Sequence, residues 1–170
     1  MNRKDVIRSI LASIPMLLIA GMIFFFSSQP AEQSSETSGV VVRIATYIIE
    51  EGFDNMSQEI QSELTGVLEV IIRKLAHFTE YAVFAMTIML FVGTLPITSR
   101  CCKMIISAVG GILYAASDEI HQLFVPGRDG HIRDVCIDSA GVLSGIFLFI
   151  LIVFLIKLIK KDKIIGDYKV

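Results

Sequence analysis

The stretch Asp118-Glu119-Ile120-His121-Gln122-Leu123-Phe124-Val125-Pro126-Gly127-Arg128-Asp129-Gly130-His131-Ile132-Arg133-Asp134, with Asp138 one turn further on, decides how this chain is read. Ionisable groups this dense are ordinary on a soluble surface. Here residues 104–117 precede them and 139–156 follow, and both segments read as membrane helices. An ionisable side chain in hydrocarbon costs several kcal/mol, roughly 2.5–3.5 on insertion scales, so it needs a partner or a function.

Working outward, four segments are apolar and long enough to be spans: about 6–26 with Pro15 inside, 75–95 closed by Pro96, 104–124, and 135–159. Crossing about 30 Å of hydrocarbon takes roughly 20 residues at about 1.5 Å each. The mean hydropathy of +0.68 and the 54% hydrophobic content are too high for an ordinary soluble fold. A chain of 170 residues suits one domain. The expectation is an all-α polytopic membrane protein, a four-transmembrane-helix bundle occupying 1–170. The first segment has the basic start of a signal peptide in Arg3, Lys4 and Arg8. Its apolar stretch is too long for one, however, and Phe24-Phe25-Phe26-Ser27-Ser28 is no small-residue cleavage site, so it reads as an uncleaved helix.

The distribution of basic residues orients the bundle. Arg3, Lys4 and Arg8 flank span one, and Arg100 and Lys103 separate spans two and three. Lys157, Lys160, Lys161, Lys163 and Lys169 follow span four. With both termini cytoplasmic all of these lie inside, leaving Arg43, Arg73, Lys74, Arg128, Arg133 and nearly all the acids outside. The long connection 27–74 is then external. It starts polar and turn-like, at Ser27-Ser28-Gln29-Pro30, and becomes apolar at 40–49. Over 57–72 it repeats Ile60, Leu64, Val67, Leu68 and Ile71 at helical spacing, with Asp54 or Ser57 as candidate cap. Two short amphipathic helices are expected, lying on the outer interface or capping the bundle.

Three helices bring polar residues to one depth. Lys74, His77 and Tyr81 stand at i, i+3 and i+7 at the start of span two, flanked by Glu80. Residues 104–117 cover only about 21 Å, so the third helix is expected to run on through Asp118, Glu119, His121 and Gln122. In span four, Asp134, Asp138, Gly141 and Gly145 share one face, and a Gly-x-x-x-Gly pair admits a close neighbour. Asp138 should therefore point into the bundle. The combination predicts one outward-facing site. Lys74 and Arg128 would hold an anion, with Glu80, Tyr81, Gln122, Asp134 and Asp138 completing the binding set. His77, Asp118 and Glu119 are the candidates for proton transfer.

A plainer reading competes with this one: the charges form an ion-pair network that only ties helices together, and His121 and His131 are satisfied imidazoles. No fixed metal-ligand spacing is present, so no metal and no cofactor are expected. P-loop, nucleophile-elbow and dinucleotide signatures are missing, and an acidic outer side disfavours nucleic acid. Cys101, Cys102 and Cys136 cannot form a disulfide framework and read as reduced or buried thiols, with palmitoylation of the adjacent pair as the alternative.

At these residues the chain resembles the VanZ-like family of bacterial membrane proteins. Ser27-Ser28-Gln29 is similar to its first signature block, and Arg73-Lys74-x-x-His77-Phe78-x-Glu80-Tyr81 to its second. Asp118-Glu119-x-x-Gln122-x-x-x-Pro126-Gly127-Arg128 resembles its third, and Asp134-Val135 with Gly141 and Gly145 its fourth. The resemblance implies a multi-pass protein of the bacterial plasma membrane and, because the family is named for a teicoplanin-resistance protein, a role at the cell envelope. It supplies no reaction. Three functions follow as expectations: an enzyme processing a membrane lipid or lipid-linked envelope precursor, a non-catalytic protein that binds or shields such a headgroup, and a small lipid or anion transporter. So small a bundle would transport as a homodimer, for which the Gly141–Gly145 face is the candidate contact.

Overall fold

The computed structural model describes residues 2–48, 56–97 and 99–167. The candidate cap Asp54, together with Ile49 and Lys169, lies outside them, as do the side chains of Arg43, Lys161 and Lys163. The described residues form five helices: α1 Arg3–Ser27, α2 Ala31–Ile48, α3 Gln58–Thr94, α4 Arg100–Gln122 and α5 Ile132–Asp167. Four of them, all but α2, are long and apolar enough to cross a membrane. The protein is an all-α polytopic bundle.

Local chemistry sets the ends. Asn2 caps α1 by accepting from the Lys4 and Asp5 backbone N–H groups, while the Asp5 carboxylate accepts from the Asn2 N–H. Pro15 falls within α1 without ending it. Leu95 leaves the helical region just before Pro96 and closes α3, and Ser99 accepts from Cys102 N–H to open α4.

The long connection differs from expectation. Its second amphipathic segment is not a separate helix: α3 is continuous for 37 residues, about 55 Å, and 57–72 supplies its first turns. Arg73 and Lys74 look like a boundary in hydropathy, but both are good helix formers and nothing around them breaks the backbone ladder. Ser57 precedes α3 and makes no side-chain cap bond. The first amphipathic segment is longer than expected, since α2 starts directly after Pro30 and packs on α3.

α3 is the central element and touches each of the other helices, α5 most extensively. Its inward face supplies Tyr81, Phe84, Ala85, Ile88, Met89 and Val92 to a core completed by Ile23, Ala115, Val142 and Ile146. The outward faces carry exposed Leu17, Phe25, Leu113 and Phe147, as a lipid-facing surface requires. Hydrophobicity does not drive helices together in lipid, where close backbone packing does. The closest approach is between α5 and α3. A Cβ on Gly141 would run into the Phe78 carbonyl, and one on Gly145 into the Ala82 carbonyl. That face is therefore occupied within the chain, which corrects its assignment as a contact between copies; a second copy would have to dock elsewhere.

Gly145→Val should lower the melting temperature in detergent by an amount equivalent to about 1–3 kcal/mol of overpacking. Gly21→Ala, where an added methyl meets nothing within 4 Å, should leave it unchanged. Equal melting of the two variants would contradict the packing described.

Candidate functional site

The C-terminal ends of α1 and α4, the loop that follows α4, and the start of α5 gather at one end of the bundle around the middle of α3. A clasp holds them. The last carbonyls of a helix lack intrahelical partners, and α1 ends without a basic residue of its own. Arg128, reaching across from the α4–α5 loop, donates from Nε to the Gln29 carbonyl at 2.9 Å and from one terminal nitrogen to the Phe26 carbonyl at 3.2 Å. Its other terminal nitrogen donates to Gln122 Oε1 at 3.3 Å. The Ala31 N–H donates to the Pro126 carbonyl at 3.3 Å. Gly127 makes this approach possible: its φ of +74° suits glycine, and a Cβ there would sit 3.2 Å from the Ala31 methyl.

Beneath the clasp, Ser27 donates to Asp118 Oδ2 at 2.8 Å, and Gln122 Nε2 donates to the same oxygen at 3.1 Å. The Ser28 hydroxyl lies 3.1 Å from His121 Nε2, whose ring stacks on Phe24 at 4.6 Å. Glu119 accepts from the His131 backbone N–H at 2.9 Å and so fixes the chain as it enters α5. Lys74 and Asp134 form an ion pair between α3 and α5. Burial, and next the neighbouring Arg73, pull the Arg128 guanidinium below its ordinary value, but a group that starts so basic stays cationic.

These interactions wall a cavity of about 390 Å³. α3 lines it with Arg73, Lys74 and His77, α4 with Glu119 and Gln122, the loop with Arg128 and His131, and α5 with Asp134 and Asp138. Asp138 is 0% exposed, and neither carboxylate oxygen has a hydrogen-bond partner. His77 Nδ1 also lacks one and stands 4.0 Å from Asp138 Oδ1. A smaller cavity of about 180 Å³ shares Arg73, His77 and Arg128 and adds Gln29, Ala76 and Glu80. His77 thus lies between two polar spaces.

The expected site residues separate into groups. Lys74, His77, Glu119, Gln122, Arg128, Asp134 and Asp138 border the larger cavity, and Glu80 the smaller. Asp118 and Tyr81 line neither: Asp118 is held by Ser27 and Gln122 beneath the surface, and Tyr81 is 0% exposed in the core, its hydroxyl without a partner at hydrogen-bonding geometry although Asp118 is a neighbour. Arg73, which lines both cavities, was missed, as was the clasping role of Ser27 and Gln29. The signal for Arg73 was its spacing: Arg73, His77 and Glu80 stand at i, i+4 and i+7, a second polar face of the same helix. Among the described residues no three His, Cys, Asp or Glu side chains converge as a metal-binding group, and the three cysteines are free and exposed.

A family model described as VanZ/LLP1 matches residues 13–155, a range that contains every residue of the clasp and of both cavities. No curated protein and no solved structure matches the chain.

Arg128→Ala should loosen the junction of α1 with the loop by about 1–3 kcal/mol for the three hydrogen bonds it removes, two of them partly buried, read as a lower melting temperature and faster proteolysis within 123–131. Arg128→Lys, which cannot reach three acceptors in a plane, should recover less than half of the loss. Full recovery by lysine would mean that charge alone, not the fork, holds the clasp.

Proposed function

The chain belongs to the VanZ/LLP1 family, and on that premise we propose that it binds the headgroup of a phosphate-bearing envelope lipid at the outer face of the bacterial plasma membrane, with both termini cytoplasmic. The observation that carries this reading is the pair His77 and Asp138 on the wall of the 390 Å³ cavity: Asp138 is buried with neither oxygen hydrogen-bonded, and the half-buried His77 holds an equally unpartnered Nδ1 4.0 Å from it. Buried polar groups of native proteins are normally satisfied, and an unpartnered carboxyl group in a membrane helix is costly enough to need a function. A ligand hydroxyl entering the cavity would satisfy both, donating to the Asp138 carboxylate and accepting from His77 Nδ1–H. Each terminal nitrogen of Arg128 keeps a second N–H beyond the one used in the clasp, and Lys74 is 41% exposed at the rim. The headgroup that fits is a phosphate flanked by hydroxyl groups: the phosphate toward Arg128 and Lys74, a hydroxyl toward Asp138. The orientation rests on the basic residues at the two termini and between α3 and α4.

Chemistry at the bound headgroup is the second reading, favoured by the same pair. Of the three candidates for proton transfer, Asp118 is engaged by two side-chain donors and Glu119 by a backbone N–H. His77 is not, and with Asp138 as its partner it is the group placed to take a proton from an attacking hydroxyl. Association with glycopeptide resistance is proposed through the same lipid, since occupying or altering an envelope precursor changes what a glycopeptide meets at the cell surface.

The test is mass spectrometry of lipid retained by the purified protein. Phosphate-headgroup lipids should be enriched over their share of the membrane, and His77→Gln and Asp138→Asn should each cut the enrichment about tenfold while melting normally. Lipid that mirrors the bulk membrane in all three proteins would overturn the binding reading. Product formed by wild type and absent with His77→Gln would establish the chemical one.

A further inference from the structure

A second concavity lies on the membrane-facing side of the same site. It is a groove of about 590 Å³ between α1, α2 and α3, walled by Ile19, Met22, Ile23, Val41, Leu75 and Val83. Its polar side chains are Thr79, whose hydroxyl donates back to the Leu75 carbonyl, and Glu80. The groove and the polar site share walls. Ala76 and Glu80 border both the groove and the 180 Å³ cavity. Arg73, His77 and Arg128 in turn border both polar cavities.

Dimensions and direction point to one kind of occupant. Along α3 the groove runs from Ile72 to Val83, about 16 Å at the helical rise, which is about half the roughly 30 Å of a bilayer's hydrocarbon. It begins level with Arg73 and His77 and descends toward the middle of the apolar part of α3. A single leaflet's lipid has the same layout: a polar head at one end and a chain of leaflet depth below it. The threshold residue Ala76 is small and exposed.

We infer that the groove between α1, α2 and α3 holds an alkyl chain of the same lipid whose phosphate-bearing headgroup enters the polar cavity, with Ala76 and Glu80 as the threshold between them. This rests on the headgroup reading above and adds to it a lateral entry from the bilayer. A lipid reaches the cavity by sliding sideways between α1 and α3 and never leaves its leaflet.

The experiment compares three probes on the purified protein in neutral detergent: hexadecyl phosphate, inorganic phosphate and hexadecanol. Native mass spectrometry or calorimetry supplies the readout. Wild type should bind hexadecyl phosphate at least 100-fold more tightly than either of the others. Two threshold variants, Thr79→Trp and Val83→Trp, both at exposed positions that line the groove and neither polar cavity, should reduce hexadecyl phosphate binding at least tenfold and leave inorganic phosphate unchanged. Leu113→Trp, on the far side of the bundle and 64% exposed, should change neither. If inorganic phosphate binds but the two threshold variants hold hexadecyl phosphate as wild type does, the groove inference fails and the headgroup reading stands. Hexadecanol binding as tightly as hexadecyl phosphate would make the groove a site for any alkyl chain and overturn the coupling. If no phosphate probe binds at all, both readings fall together.

Discussion

The approach of α5 onto α3 at Gly141 and Gly145 is the constraint on which the rest of the molecule depends. Without a side chain at either position, the α5 backbone reaches the Phe78 and Ala82 carbonyls. Asp138 stands one turn before Gly141, and His77 immediately precedes Phe78, so the same contact brings these two side chains to 4.0 Å. The Lys74–Asp134 ion pair lies one turn further along both helices. In hydrocarbon, packing of this kind takes the place of the hydrophobic effect, and it is rigid because backbone meets backbone. Spacing between the polar groups is therefore set by van der Waals contact, not by the polar groups themselves.

The clasp solves a different problem, that of ending helices close to a membrane. Carbonyls at the end of α1 and the carboxylate of Asp118 all need donors, and nonpolar surroundings make an unmet acceptor expensive. One arginine and one serine meet most of that need, and both come from parts of the sequence distant from their partners. Satisfying these groups leaves Asp138 and His77 Nδ1 as the unpartnered groups that face the cavity. Asp118 has two donors and Asp138 has none.

Hydropathy and charge made the four spans legible, since a segment that crosses hydrocarbon must be long and apolar. The positions of His77, Asp134 and Asp138 on inward faces were legible from helical periodicity alone. Where α3 begins was not, because charge at Arg73 and Lys74 marks a change of solvent and not a change of backbone. Nor could the sequence tell Asp118 from Asp138. Each falls at helical spacing beside a polar neighbour, and only the arrival of Ser27 from α1 separates their roles. The glycine pair was read correctly as a face that admits a neighbouring helix of the bundle; its further reading as a contact between copies fails, since periodicity names a face and not everything that could lie against it.

The length of α3 has a mechanical consequence. About 55 Å of uninterrupted helix exceeds the apolar slab by roughly 25 Å, so its first turns extend beyond the slab. A helix without a break cannot hinge between its protruding part and Arg73, Lys74 and His77. A displacement of the first turns is therefore passed along one unbroken helix to the walls of the polar cavity. Inserting two glycines near Gly66 would disconnect the lever without touching a single residue of the site.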